Sequence, residues 1–199
     1  MIEHERLCRG ERLEPGRAVL LIVDIQERLL PAIPAEVGAQ VVKHARLLID
    51  AATRLGVPIV VSQQYPKGLG ATVPEVEAAL AAATAAGAAV HRFDKVEFSA
   101  ACTQALTELR GGALHHRDQW IVCGLEAHVC VFQSVRDLLP MTVHVMADAV
   151  ASRTKPNWRA GLALMDRLGA IVSTTETSIF DLLERAGSDT FKALSKAIK

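Results

Sequence analysis

Aromatic side chains are scarce in this sequence: five Phe, two Trp and one Tyr among 199 residues. Its core must therefore be built mainly from aliphatic residues and alanine. An excess of charge is also missing. Lys plus Arg and Asp plus Glu number 22 each, and no Lys/Arg tract exceeds two residues. Without a basic stripe interleaved with aromatics there is no electrostatic footprint for nucleic acid, so no nucleic-acid partner is expected. Long apolar runs are lacking as well. Stretches such as Ala18 to Val23 fall far short of the ~20 residues that span a bilayer. The Ile2-Glu3-His4-Glu5-Arg6 opening has no apolar signal-peptide region, so a cytoplasmic protein without a membrane partner is expected. The GxGxxG fingerprint, the P-loop and the GxSxG elbow are absent, which leaves nucleotide cofactors unsupported. Four cysteines (Cys8, Cys102, Cys123 and Cys130) form no CxxC pair and show no zinc spacing, so free thiols are expected. Burial as small hydrophobes suits Cys102 and Cys123.

Half of the residues are apolar, enough to offset chain entropy in one domain spanning 1–199. Short β-branched runs alternate with helical patterns. Six runs read as strands: Ala18–Val23, Val57–Ser62, Ala88–Phe93, Gln119–Cys123, Thr142–Met146 and Ala170–Ser173. Helices are expected over Ala35–Leu55, Val73–Ala86, Ala100–Leu109, His128–Leu139 and Pro156–Leu168, with Gly56, Gly87 and Gly169 as stop residues. Ser173-Thr174-Thr175-Glu176 has the form of a capping box. This alternation predicts a three-layer α/β fold: a doubly wound, six-stranded parallel sheet with helices on both faces, Rossmann-like in plan. In such sheets, ligands bind beyond the carboxyl ends of the strands.

Three residues capable of chemistry fall at those ends. Asp24 follows the first run directly, as a helix cap or as a functional carboxylate, because an unpaired buried charge is costly. Lys95 follows the third run, flanked by Asp94 and Glu97, where a solvated lysine is the ordinary reading. Cys130 sits six residues past Gly124, in the first turn of the next expected helix. Free backbone N–H groups there favour a thiolate, a neighbouring ammonium depresses a thiol further, and a carboxylate can take its proton. His115-His116 reads as a solvated pair and His128-Val129-Cys130 lacks a third metal ligand. Asp148 and Arg153 follow the fifth run as crevice, capping or ion-pair residues, and Trp120 and Trp158 suit a core or a subunit contact.

At these positions the chain resembles the isochorismatase-like cysteine hydrolases, a family that includes nicotinamidases and N-carbamoylsarcosine amidases. The resemblance runs from about Arg17 to Phe180. It rests on Val23-Asp24-Ile25-Gln26, the Lys95 loop, Gly124-Leu125-Glu126-Ala127-His128-Val129-Cys130-Val131, Ala147-Asp148-Ala149 and Ser173-Thr174-Thr175-Glu176. The segment from Gln63 to Pro74 is typical of the isochorismatase domain-containing subgroup of unassigned substrate. The resemblance implies a triad in which Cys130 attacks an acyl carbon, Asp24 moves the proton and Lys95 holds the thiolate. It implies a cis Leu125–Glu126 peptide, with the N–H groups of Glu126 and Cys130 aimed at an oxyanion. Gln26, Gln64, Tyr65 and Phe98 are candidates for the pocket wall. Nicotinamidases carry an Asp-x-His metal site where this chain has Ser62-Gln63-Gln64, so neither a catalytic metal nor another cofactor is expected, and nicotinamide fits poorly. The family often has Thr in place of Ala127, and true isochorismatases lack the cysteine. The expectation is a homo-oligomeric hydrolase of non-peptide C–N bonds acting on a small amide, less readily an ester, through a thioester. The alternative is a silent binding or scaffold protein with Cys130 as a redox-responsive thiol.

Overall fold

The computed structural model describes residues 12–139 and 141–199. Cys8 lies outside them. The strands are β1 (Ala18–Val23), β2 (Ile59–Gln64), β3 (Val90–Lys95), β4 (Gln119–Leu125), β5 (Thr142–Ala151) and β6 (Ile171–Ser173). They pair in parallel in the order β3-β2-β1-β4-β5-β6. The helices are α1 (Ala35–Leu55), α2 (Pro66–Leu69), α3 (Pro74–Ala85), α4 (Gln104–Gly111), α5 (Phe132–Leu138), α6 (Lys155–Arg167), α7 (Thr175–Leu183) and α8 (Asp189–Ile198).

All six residues of β1 are buried, because the period-two alternation of a central strand feeds two cores. Leu20 and Ile22 join Ile59, Val61 and Ile121 under the apolar stripes of α1 and α3. Val19, Leu21 and Val23 join Val60, Trp120 and Val122 on the opposite face, against Leu106 of α4, Val135 of α5 and Met165 of α6. Each fully buried aliphatic side chain contributes about 1.5–3 kcal/mol. The helices thus divide between the two faces, as the alternating pattern predicted.

The chain leaves β1 toward β2 and β3 on one side, then returns to β4 on the other. The carboxyl ends of β1 and β4 therefore form the switch point where such sheets open a crevice. Gly124 makes this approach possible. A Cβ there would stand 1.9 Å from the Val23 carbonyl oxygen, and its φ of 125° suits glycine. Gly161 does the same for α6, where a Cβ would fall 2.7 Å from the Ala127 carbonyl oxygen.

Several boundaries differ from the sequence reading. β2 and β3 each run two residues further than expected, so Gln64 and Lys95 are paired strand residues rather than loop residues. β5 continues to Ala151, which places Asp148 inside the strand, where it caps α7 by accepting the Thr175 N–H at 2.9 Å. The expected capping box does not form with Ser173. Thr174 is the cap, accepting the Thr177 N–H at 3.3 Å. The helix expected from Ala100 begins only at Gln104, capped by Thr103. Gly56, Gly87 and Gly169 take positive φ at the ends of α1, α3 and α6.

Candidate active site

Asp24, the residue after β1, takes φ 51°, a left-handed conformation uncommon for a side chain other than Gly, Asn or Asp. Its carboxylate is fully buried and each oxygen has a partner. Ser62 Oγ donates to Oδ1 at 2.7 Å, and Lys95 Nζ donates to Oδ2 at 2.6 Å. The Lys95 side chain is equally buried. Its ammonium also reaches Gln64 Oε1 at 2.6 Å, the Phe98 carbonyl at 3.1 Å and the Glu97 carbonyl at 3.3 Å. Lys95 is therefore not the solvated loop lysine that its acidic neighbours suggest. Asp94 instead takes the amide of Gln63 on the other side of the strand, at 3.0 Å.

Cys130 reaches this pair from the far side of the switch point. Its thiol interacts electrostatically with both Asp24 and Lys95, and the residue is only 6% exposed. Three side chains separated by 71 and 35 positions along the chain thus meet in one cleft. The backbone around Cys130 is not the regular first helical turn expected. Ala127–Val131 forms a π-type turn in which the Glu126 carbonyl accepts the N–H of Val129 at 3.0 Å and of Val131 at 3.2 Å, and α5 proper starts at Phe132. The Leu125–Glu126 peptide is cis. Ser134, which the sequence reading missed, ties the turn down. Its hydroxyl donates to the Cys130 carbonyl at 2.7 Å and accepts the Ala100 N–H at 2.8 Å.

The electrostatics correct one expectation. Burial pushes the Cys130 thiol up to about 12, Asp24 pushes it in the same direction, and Lys95 opposes them. These influences favour the neutral thiol, against the thiolate that a helix N-terminus favours. Cys123, fully buried within β4, is also pushed up to about 12. Cys102, expected to be buried, is exposed, with its sulfur 3.0 Å from Asp137 Oδ2. Cys102, Cys123 and Cys130 are free thiols.

The four residues assigned to the pocket wall divide into two groups. Gln26 has no exposure. It accepts the Gln64 N–H at 2.7 Å and donates to the carbonyls of Gln64 at 3.0 Å and Gly70 at 2.7 Å, bracketing the end of β2. Gln64 is 8% exposed and uses both ends of its amide, on Lys95 and on the Val96 carbonyl. Tyr65 and Phe98 are more than half exposed, as is Val96. The two glutamines thus frame the triad from beneath while the rings face solvent.

Glu126 carries a second network. Its carboxylate takes Arg153 Nε at 2.9 Å and lies 3.6 Å from His128 Nδ1. His128 contacts Ser152 Oγ at 3.0 Å and Asn157 Nδ2 at 3.2 Å. The ion-pair reading of Arg153 is the observed one. His115 and His116 are exposed and touch only edge to face. Trp120 is buried, and its Nε1–H points to Met141 Sδ at 3.3 Å. Among the described residues, no three of His, Cys, Asp and Glu gather closely enough to hold a metal ion, and no helix is long and apolar enough to cross a membrane. A cavity of about 290 Å³ between the start of α1, the end of β5 and α6 has Trp158, Val37 and Ser152 in its lining and none of the triad.

Comparison with known proteins agrees with this fold. Residues 18–177 match the model of the isochorismatase domain. The secreted isochorismatase effector Isc1 of Phytophthora sojae is 36% identical over 190 residues, covering 94% of this chain and 87% of its own. Isochorismatase domain-containing protein 2 of Danio rerio is 34% identical, covering 94% and 89%. The solved structure of MAR1 ribonuclease from Caenorhabditis elegans superposes with a TM-score of 0.82 at 34% identity, covering 94% and 92%. With a whole-domain match and relatives above 30% identity, the chain belongs to the isochorismatase domain family.

Proposed function

We propose that this protein hydrolyses a small amide, less readily an ester, through a thioester on Cys130. The observation that carries the reading is the meeting of the Cys130 sulfur with a buried carboxylate and a buried ammonium at the switch point of the sheet. Because the resting sulfur is protonated, attack begins with proton transfer. The S–H bond breaks, Asp24 takes the proton, and the sulfur attacks the acyl carbon while Lys95 faces the developing thiolate. The N–H groups of Glu126 and Cys130 are assigned to the oxyanion. Asp24 then returns its proton to the departing amine. Water, deprotonated by the same carboxylate, cleaves the thioester and regenerates the thiol. No step requires a cofactor. The exposed Tyr65, Val96 and Phe98 beside Lys95 favour an uncharged, partly apolar acyl group.

The test is mass spectrometry of Cys130 after exposure to a mixed library of small amides, with release of product followed in parallel. Acylated Cys130 and turnover are expected in the native chain, and neither in a folded Cys130→Ala variant. Full activity in that variant ends the proposal. The worm relative is called a ribonuclease, so RNA belongs in the same assay. With equal numbers of basic and acidic residues, this chain is expected to leave it uncut. A second reading, a silent binding protein of the same fold, draws support from the raised thiol of Cys130; binding without acylation is its signature. The redox-responsive version is disfavoured, because reactive thiols are accessible and depressed rather than buried and raised. A cytoplasmic, homo-oligomeric protein completes the proposal; the cytoplasmic part is in keeping with the three free thiols among the described residues.

A further inference from the structure

We infer that Ser62 and Gln64 are positioning residues, which hold the Asp24 carboxylate and the Lys95 ammonium as an oriented pair ready to take one proton from the Cys130 sulfur. The inference rests on the reading of Cys130 as a nucleophile with its base; it adds Ser62, which no motif marks, and gives Gln64, expected only in the pocket wall, a different role. Ser62 and Gln64 stand two apart on β2, so both face the side of the sheet on which the pair lies. Gln63, between them, faces the other side and is occupied by Asp94 and by the N–H and hydroxyl of Thr72.

Ser62 is fully buried and spends its single hydroxyl proton on Asp24 Oδ1. A donor aimed at a buried carboxylate favours the charged form over the acid. With Lys95 on Oδ2, each oxygen is anchored once, and a carboxylate has about four lone-pair sites. Sites therefore remain for the sulfur's proton. Gln64 performs the matching task for the ammonium. Its Nε2 donates to the Val96 carbonyl, which fixes the direction of the amide and turns Oε1 onto Lys95 Nζ. Gln26 clamps the Gln64 backbone through both its N–H and its carbonyl, so the acceptor does not wander. Lys95 meets four acceptors with three N–H bonds, and none of its protons is left unpartnered.

The charged and titratable groups facing this pair are few. Cys130 approaches from the turn after β4. Asp94 and Glu97, the near neighbours in sequence, turn their carboxylates to Gln63 and to the Val96 N–H. Within the proton step, the S–H bond breaks and an O–H bond forms on Asp24. The ammonium, released from a charged partner, is left facing the thiolate.

The test uses the full chain and needs no substrate. The rate at which iodoacetamide alkylates Cys130 near neutral pH is read on the Cys130 peptide by mass spectrometry. Ser62→Ala removes the donor on Asp24 Oδ1 and slows alkylation by about tenfold. Ser62→Thr, which keeps the hydroxyl, restores the rate. Gln64→Leu removes the side-chain acceptor that orients Lys95 Nζ and slows alkylation by a similar factor. If Ser62→Ala does not fold, Ser62→Cys, a weaker donor, must slow alkylation in the same direction by less. Folded Ser62→Ala and Gln64→Leu chains alkylated at the wild-type rate would make both residues merely structural and overturn the inference. Slowing with rescue by Ser62→Thr, in a chain no small amide acylates, would keep it and remove the turnover reading. Alkylation at the wild-type rate in a folded Asp24→Asn chain would remove both.

Discussion

Replacing Lys95 by Met and Asp24 by Asn, singly and together, tests whether the site is a compensated buried pair. Both side chains have no solvent exposure and their charged atoms lie 2.6 Å apart. Removing the ammonium leaves a carboxylate in the interior with one neutral donor, Ser62. Removing the carboxylate leaves an ammonium with Gln64 and two carbonyls. Breaking a buried pair from one side costs about 3–5 kcal/mol, because the surviving charge has lost its partner far from water. The double variant strands neither charge, so its loss should be close to that of one single variant rather than to their sum. The expected coupling is at least about 2 kcal/mol. In a domain of this size, 1 kcal/mol moves Tm by about 2–4 °C, so each single variant should melt roughly 6–20 °C below wild type.

The assay is urea unfolding of the four proteins, with Tm as a second reading. Losses that add within about 0.5 kcal/mol would refute the argument, since independent residues behave that way. The Lys95→Met protein carries a second readout. Lys95 is a group that lowers the Cys130 thiol, against burial and Asp24. Without it the thiol should rise further, and alkylation of Cys130 near neutral pH should slow by about tenfold or more for each pH unit of rise. An unchanged alkylation profile would take Lys95 out of the thiolate-holding role even if the stability cycle behaved as expected.

Two other perturbations address the scaffold. Gly124→Ala places a methyl group 1.9 Å from the Val23 carbonyl oxygen at a φ of 125°, and should cost about 4 kcal/mol or more, seen as a lowered urea midpoint or an insoluble product. Gly124→Ala with a wild-type midpoint would mean that β1 and β4 do not approach as described. On the surface, Arg136 and the Cys102 thiol hold the Asp137 carboxyl down to about 2, from an ordinary 3.8. The folded value is the lower one, so the stability Asp137 contributes is complete above about pH 4 and is lost as pH falls toward 2. Urea midpoints of the native chain and Asp137→Asn should therefore converge over that interval, while a constant difference would contradict the assigned cause.

The architecture was legible because two independent periodicities agree. β1 is apolar at every position, which only a strand buried on both faces requires, and α1 was bounded to the residue by its amphipathic stripe and Gly56. Strand ends were less legible. Gln63 and Gln64, beyond the expected strand end at Ser62, are polar, and polar residues after an apolar run read as loop. Here they continue β2 because the side chains of Ser62, Gln63 and Gln64 have partners on both faces of the sheet, in Asp24 and Lys95 on one and Asp94 and Thr72 on the other. Those partners come from β1, β3 and a distant bridge, so no local window contains the reason. The approach of Asp24, Lys95 and Cys130 was legible through the family resemblance and strand-end placement. Ser62 and Ser134 were not, because a serine that anchors a carboxylate and one that sits on a surface look alike in sequence.

The same long-range geometry explains why the helix-terminus argument and the surroundings of Cys130 point in opposite directions. A helix N-terminus and a nearby lysine both favour a thiolate, and each is a local, favourable influence. Burial opposes both, and so does the Asp24 carboxylate. Lys95 cannot serve Asp24 and the sulfur fully at once. While Asp24 is charged, the ammonium pairs with it at 2.6 Å and the sulfur keeps its proton. Once the proton moves to Asp24, the carboxyl is neutral and the ammonium's remaining attraction is for the sulfur. The pair therefore couples activation to proton transfer.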